Sequence, residues 1–158
     1  MTSAVTTFHR GLMLLSMHPR HVQSILTGSK TVELRRTRPH VQPGQPVAIY
    51  ATAPTGAIVA MCRVETVLTG TVVSIGSSET LMNAAVSREE FDEYFGHAEK
   101  AVAIRLREVR PLTHPVTLEH LRAERDFHPP QTWHFVDLDR VADLFGTHAA
   151  HAEVTSFI

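Results

Sequence analysis

The segment from Ser16 to Arg38, SMHPRHVQSILTGSKTVELRRTR, restricts the fold more than any other part of the chain. Val22, Ile25 and Leu26 recur at i, i+3 and i+4 and form one apolar stripe, so a short helix is predicted there. Pro19 suits its first position, and either Ser16 or His18 is placed to cap it. Gly28 supplies a left-handed stop. Lys30 to Arg36 then alternates as a strand, with Thr31, Glu33 and Arg35 on one face and Lys30, Val32, Leu34 and Arg36 on the other. Val32 and Leu34 are predicted to pack inward, which turns Glu33 and Arg35 toward a cleft or solvent. Charges on a strand must stay solvated or paired, so a polar partner is expected to meet this one.

Around this segment the chain reads as short strands joined by tight turns. Gly11 to Met17 is a short apolar run, predicted as a buried first strand. Gln42-Pro43-Gly44-Gln45 is a type II turn leading into a strand at Val47 to Ala51, and Ala57 to Val67 follows as its antiparallel partner. Gly70 to Ser78 has a weak pattern, and Glu79 to Val86 has some helical character. Ser87-Arg88-Glu89-Glu90 is a capping box for a helix closed by Gly96. Lys100 to Val109 alternates again as a strand. Thr117 and Asp137 are placed to cap helices at Leu118 to Glu124 and Leu138 to Phe145, the latter stopped by Gly146. The proline-stiffened stretch between them carries Gln131 and the single tryptophan, Trp133.

The expected architecture is α+β, with mostly antiparallel strands in a small barrel and short helices around it. One domain over 11–146 is expected, with a flexible leader at 1–10 and a flexible tail at 147–158.

Charge limits the functional classes. The formal net charge is −1, so no global basic field points to nucleic acid, and any such site is a local patch. Arg20, Lys30, Arg35, Arg36 and Arg38 form that patch, in a segment whose single acid is Glu33. Cys62, the one cysteine, excludes an intrachain disulfide and a cysteine-rich zinc site. It is predicted to be buried and inert. No apolar run is long enough to span a membrane, and a cytoplasmic setting is expected. The histidines lack metal-ligand spacing, so neither a metal nor another cofactor is expected.

Ser16 after an apolar strand, the run Gly28-Ser29-Lys30-Thr31-Val32-Glu33-Leu34-Arg35, and Ile49-Tyr50-Ala51-Thr52-Ala53-Pro54 together resemble the ASCH domain family. The spacing G-x-K-x-x-E-x-R between a short helix and a strand carries most of that likeness. The resemblance implies a PUA-like pseudo-barrel, related to RNA-binding PUA domains and to the YTH and EVE readers of modified bases. Small ASCH-type proteins that hydrolyse N4-acetylcytidine use a lysine in this motif, which Lys30 matches, with a threonine three positions later, where this chain has Glu33. They also use a distant glutamate, for which Glu65, Glu79, Glu89 and Glu90 are all candidates here. Some family members have been associated with RNA cleavage.

The leading expectation is a nucleic-acid-binding module that takes RNA or a modified nucleotide in a basic cleft. Ser16, Lys30, Glu33, Arg35, Tyr50 and Thr52 would line the cleft, Arg36 and Arg38 would guide phosphates, and Gln131 or Trp133 would close one side. Arginines pair with phosphates, aromatic rings stack on unpaired bases, and a carboxylate accepts from a base's amino edge. The alternative is a hydrolase of an acylated nucleoside such as N4-acetylcytidine, or a ribonuclease, with Lys30 and Glu33 as its acid/base pair. Ser16 lacks the partners of a nucleophile and is expected to cap or to bond a ligand. Trp133 reads as a core anchor or a stacking platform. Oligomeric state is left open.

Overall fold

The computed structural model describes residues 11–124 and 126–158, so the leader expected at 1–10 lies outside the described residues. Six strands form one sheet: β1 (Leu12–Met17), β2 (Val32–Arg35), β3 (Pro46–Ala51), β4 (Ala57–Thr71), β5 (Lys100–Thr117) and β6 (Trp133–Val136), in the order β2-β5-β4-β3-β1-β6. Only β1 and β3 pair in parallel. The remaining pairs are antiparallel. The helices are α1 (Pro19–Leu26), α2 (Val72–Ile75), α3 (Ser78–Ala84), α4 (Arg88–Phe95), α5 (Leu118–Glu124), α6 (Leu138–Phe145) and α7 (His151–Thr155).

The sheet curls without closing. Register shifts between Ile58/Ala60, Met61/Arg63 and Val64/Thr66 interrupt the β4–β5 ladder, and Glu108 takes a positive φ of 54°. Such irregularities bend and coil long strands. The expected barrel is therefore an open one, with β2 and β6 at the ends of the sheet.

Local sequence produced the turns and caps for simple reasons. Pro19 opens α1, and the His18 ring Nδ1 accepts from the Arg20 amide at 3.3 Å, which decides between the two candidate caps. Gly28, at φ 84°, turns the chain back so that the Lys30 amide donates to Ser24 O at 3.0 Å. Gly44, at φ 93°, completes the turn that joins the Gln45 amide to Gln42 O. The Ser87–Glu90 capping box forms at α4 with both of its bonds. The segment Gly70 to Ser78, weak in pattern, contains the end of β4, α2 and the first residue of α3.

Apolar burial falls into three groups. Leu12 and Leu14 pack with Tyr50, Leu121, Phe145 and Phe157 beneath α5, α6 and α7. Met13, Leu15, Met17, Val22, Ile25, Cys62, Val102 and Ile104 fill the inside of the curled sheet under α1. Val32 and Leu34 pack against Leu81, Phe91 and Phe95 of α3 and α4. Cys62 is fully buried, and burial pushes its thiol far above the ordinary range.

The tail departs from its sequence reading. Residues 147–158 were expected to be loose, but Ala150, Val154 and Phe157 are buried in the first of these groups. Arg63 and Arg110 lie over the Phe157 ring, at 5.2 and 5.6 Å from its centroid. A lone phenylalanine near a chain end gives no periodic signal, and its burial depends on a hollow built by distant strands. Phe157→Ala is expected to cost about 3 kcal/mol, the low end for a buried phenylalanine. Chemical denaturation measures this, and a loss below about 0.5 kcal/mol would mean that the tail does not stabilise the fold.

Candidate functional site

A cleft of about 530 Å³ opens between α1, the start of β2 and α4, and is lined by Ser16, His18, Arg20, His21, Lys30, Glu33, Arg35, Thr52, Glu90, Phe91, Glu93, Tyr94 and Gln131, among others. That volume lies in the usual range for small-molecule sites.

Its floor is the G-x-K-x-x-E-x-R motif. Strand register sets Glu33 opposite Ile104 and Arg35 opposite Val102, so both charged side chains project on the face that elsewhere buries apolar residues inside the sheet. Val32 and Leu34 are buried as expected, packed against α3 and α4, and Glu33 and Arg35 face the cleft. Glu33 is 8% exposed and Lys30 only 2%. Both ion pairs of Glu33 are thus buried, and the ~0.2 to 1 kcal/mol typical of surface pairs does not apply to them.

Lys30 precedes β2 and does not follow its alternation. Its Nζ donates to Ala84 O at 2.8 Å and lies 3.7 Å from Glu33 Oε2. Burial lowers its pKa, an effect that Glu33 opposes and that the Arg35 and Arg20 charges reinforce. Arg35 Nε lies 3.5 Å from Glu33 Oε1. Neither Glu33 Oε2 nor Arg35 Nε has a hydrogen-bond partner among the described residues.

Arg35 also joins the two ends of the open sheet. From β2 its Nη2 donates to Ser16 O on β1 at 2.6 Å, and its Nη1 donates to Thr132 Oγ1, next to β6, at 3.1 Å. Ser16 completes this junction: its hydroxyl donates to Pro130 O at 2.6 Å and its amide to Thr132 O at 3.0 Å. Ser16 therefore holds the proline loop, and Gln131 with it, against the cleft.

The remaining residues named from sequence divide. Thr52 and Gln131 line the cleft. Tyr50 is 3% exposed and lies on the opposite face of the sheet, where burial raises its phenol pKa, so it offers no stacking surface in the cleft. Trp133 packs against the apolar inside of the sheet and does not line the cleft. Arg36 donates through Nε, at 3.0 Å, and Nη2 to Tyr94 O, with its guanidinium 4.5 Å from the Tyr94 ring centroid. Arg38 donates to Thr69 Oγ1 at 2.8 Å. Both are exposed but lie outside the cleft.

Sequence reading did not place several residues in the lining of the cleft. Tyr94, on α4, was not among the site residues named from sequence, yet it lines the cleft and is 36% exposed. Arg20 reaches from α1 to Glu90 of α4 at 2.6 Å. His21 is half-buried, and burial, then the Lys30 charge, lowers its pKa. Glu90 is the one member of the four candidate distant acids that lines the cleft; Glu65 pairs with Arg105 at 3.7 Å. The capping box located Glu90 on its helix, but nothing local in the sequence told that α4 would face α1.

The cleft is not basic as expected. Arg20 meets Glu90, and Lys30 and Arg35 share Glu33, so its arginines and lysine each sit beside a carboxylate. Among the described residues no group of three or more His, Cys, Asp or Glu is arranged to hold a metal ion. Among them, too, no helix is long and apolar enough to cross a membrane.

Comparison with known proteins agrees with this geometry. The ASCH domain family model matches residues 15–110. An ASCH domain-containing ribonuclease from Zymomonas mobilis is 33% identical over 123 residues, covering 76% of this chain and 82% of that protein. The crystal structure of ASCH from Zymomonas mobilis superposes with a TM-score of 0.79 at 29% identity, covering 87% of this chain and 96% of that one. The N-terminal domain of Staphylothermus marinus McrB, at 9% identity, covers 92% of this chain and 98% of its own with a TM-score of 0.57, a likeness of fold alone. With the motif in place on a PUA-like sheet and both comparisons agreeing, the chain belongs to the ASCH domain family.

Proposed function

We propose that the chain acts on RNA, seating one nucleotide of a single strand in the cleft between α1 and α4. The observation that carries this reading is the cleft itself: it has the volume for a nucleotide, an aromatic wall at Tyr94, and the buried Lys30–Glu33–Arg35 group at its floor. Single-stranded RNA is recognised by splaying out a base, stacking it on an aromatic ring and bonding its edge. Tyr94, not Tyr50 or Trp133, is the ring placed for that stacking. Arg36 and Arg38, exposed and bonded to Tyr94 O and Thr69 Oγ1 rather than to a carboxylate, meet the flanking phosphates.

A second reading, cleavage of the bound strand, is favoured by the name of the Zymomonas mobilis relative, a ribonuclease, and by Lys30 and His21. Both are held toward their neutral forms by burial beside the cleft, which suits a group that accepts a proton. The acylated-nucleoside reading rests on Lys30 alone, since Glu33 occupies the position of the threonine.

Short single-stranded RNA is expected to bind at low salt, and Tyr94→Ala is expected to weaken binding about tenfold or more, the effect of losing one stacked base. Fluorescence anisotropy reads the affinity, and a denaturing gel of the same mixtures reads cleavage. No binding by the wild type, or full affinity in Tyr94→Ala, would remove this reading.

A further inference from the structure

We infer that His21 is the proton-accepting residue of the cleft, and that it acts on the 2′-hydroxyl of an RNA strand whose phosphate lies against Arg20. This rests on the cleavage reading above and names the group, the bond and the products which that reading leaves open.

The inference begins where α1 faces α4 across the cleft. Arg20 is exposed, and its Nη2 donates to Glu90 Oε2 at 2.6 Å and lies 3.4 Å from His21 Nε2. A guanidinium donates and never accepts, so this contact gives His21 the tautomer with its hydrogen on Nδ1 and a lone pair on Nε2. All three side chains line the cleft, and His21 is only half-buried. Lys30, the other cleft group held toward its neutral form, is 2% exposed, with its Nζ donating to Ala84 O at 2.8 Å. That enclosure keeps it from a strand in the cleft, and it acts on His21 through its charge instead. The charged groups that act on His21 are Lys30 and Glu33 at the cleft floor, Arg20 on its own helix and Glu90 on α4. Burial, and then Lys30, lowers its pKa from the ordinary histidine value, so Nε2 keeps its lone pair at neutral pH.

A lone pair beside a guanidinium matches a hydroxyl next to a phosphodiester, which RNA carries at every 2′ carbon and DNA lacks. Arg20 takes the ionised phosphate oxygens through its remaining hydrogens. His21 Nε2 accepts the 2′-hydroxyl proton. The 2′-oxygen then bonds to phosphorus, the bond from phosphorus to the 5′-oxygen of the next nucleotide breaks, and that oxygen takes a proton from water. His21 returns its own proton to solvent, so no co-reactant is consumed. The products are a 2′,3′-cyclic phosphate and a 5′-hydroxyl.

The test uses the full chain in excess over a single-stranded RNA that contains every dinucleotide step. New 5′ ends are expected to accept label from polynucleotide kinase without prior phosphatase, and new 3′ ends to resist phosphatase until acid opens the cyclic phosphate. The same RNA with one 2′-O-methyl group at its strongest cut is expected to lose that cut and keep the others. His21→Ala is expected to slow single-turnover cleavage about 100-fold or more. The wild-type rate is expected to rise with pH, with its midpoint below the ordinary histidine value of 6.5, and His21→Ala to lack that rise. Ends that carry a 5′-phosphate, or a cut that survives 2′-O-methylation, overturn the inference while leaving cleavage intact. So does a fall of less than about tenfold in a His21→Ala protein that melts cooperatively. If the wild type leaves the RNA whole, the cleavage reading falls with the inference, while binding in the same mixtures keeps RNA recognition. The product ends and the methylated site decide the matter even if His21→Ala does not fold.

Discussion

Arg35→Ala is expected to destabilise the protein by about 4 kcal/mol and to lower its melting temperature by about 8 to 16 °C. Three interactions are lost at once. Two are charge-assisted bonds, to Ser16 O at 2.6 Å and Thr132 Oγ1 at 3.1 Å, which join β2 to β1 and to the start of β6. Such bonds contribute about 1.5 to 3 kcal/mol each, less the solvation the groups regain. The third is the pairing with Glu33, whose carboxylate would remain buried with only Lys30 nearby. At 11% side-chain exposure, solvent screens little of this. Lysine at the same position keeps the charge but not the planar fork that reaches two acceptors, so Arg35→Lys is expected to recover less than half of the loss. Urea denaturation and thermal melts read both variants. A loss below about 1 kcal/mol in Arg35→Ala would show that the open sheet holds its curl without this junction.

The second large effect is at Lys30 and carries a pH signature. Lys30→Ala removes a buried cation from beside Glu33 and the donor to Ala84 O, and is expected to cost about 3 kcal/mol near neutral pH. Burial sets the folded pKa of Lys30 below its ordinary value of 10.5. Between the lowered value and 10.5, the unfolded chain therefore holds a proton that the folded chain has released. Stability rises with pH wherever the unfolded state binds more protons, so wild-type stability gains a contribution from Lys30 as pH climbs through that window. Lys30→Ala lacks it. The difference in unfolding free energy between wild type and variant is expected to widen from about pH 7 to about pH 10. Denaturant titrations at both ends check the sign, and a gap that narrows would mean that Glu33 holds the lysine charged more strongly than burial opposes it.

Local features of the fold were legible because they depend on neighbours in the chain. The His18-Pro19 start, the Gly28 stop, the Gln42–Gln45 turn and the Ser87–Glu90 box each need only a few adjacent residues, and each formed as read. The alternation over Lys100 to Val109 likewise marked a strand, though β5 runs on to Thr117 through a bulge that periodicity does not announce. Failures came where a side chain's surroundings were set by distant segments. Tyr50 and Trp133 were candidate stacking rings by type, but strand parity turned Tyr50 to the far face and the core absorbed Trp133. Tyr94 was no candidate by sequence, because its place opposite α1 depends on how α4 packs.

By itself, the sequence determined that a glycine-stopped helix would hand Lys30, Glu33 and Arg35 to a strand, and that this motif placed the chain in its family. Those are properties of spacing, and spacing survives in one dimension. Only the tertiary structure decided what the charges do there. Sequence left the Glu33/Arg35 face of β2 toward a cleft or solvent; the curl of the sheet made it the floor of a cleft, with Arg35 a junction between the sheet's ends and Glu33 buried. α4, more than fifty residues further on, brought Tyr94 and Glu90 to the opposite wall. Burial and partner choice depend on long-range packing, which no local pattern encodes. For that reason the motif could be read from the chain while its cleft could not.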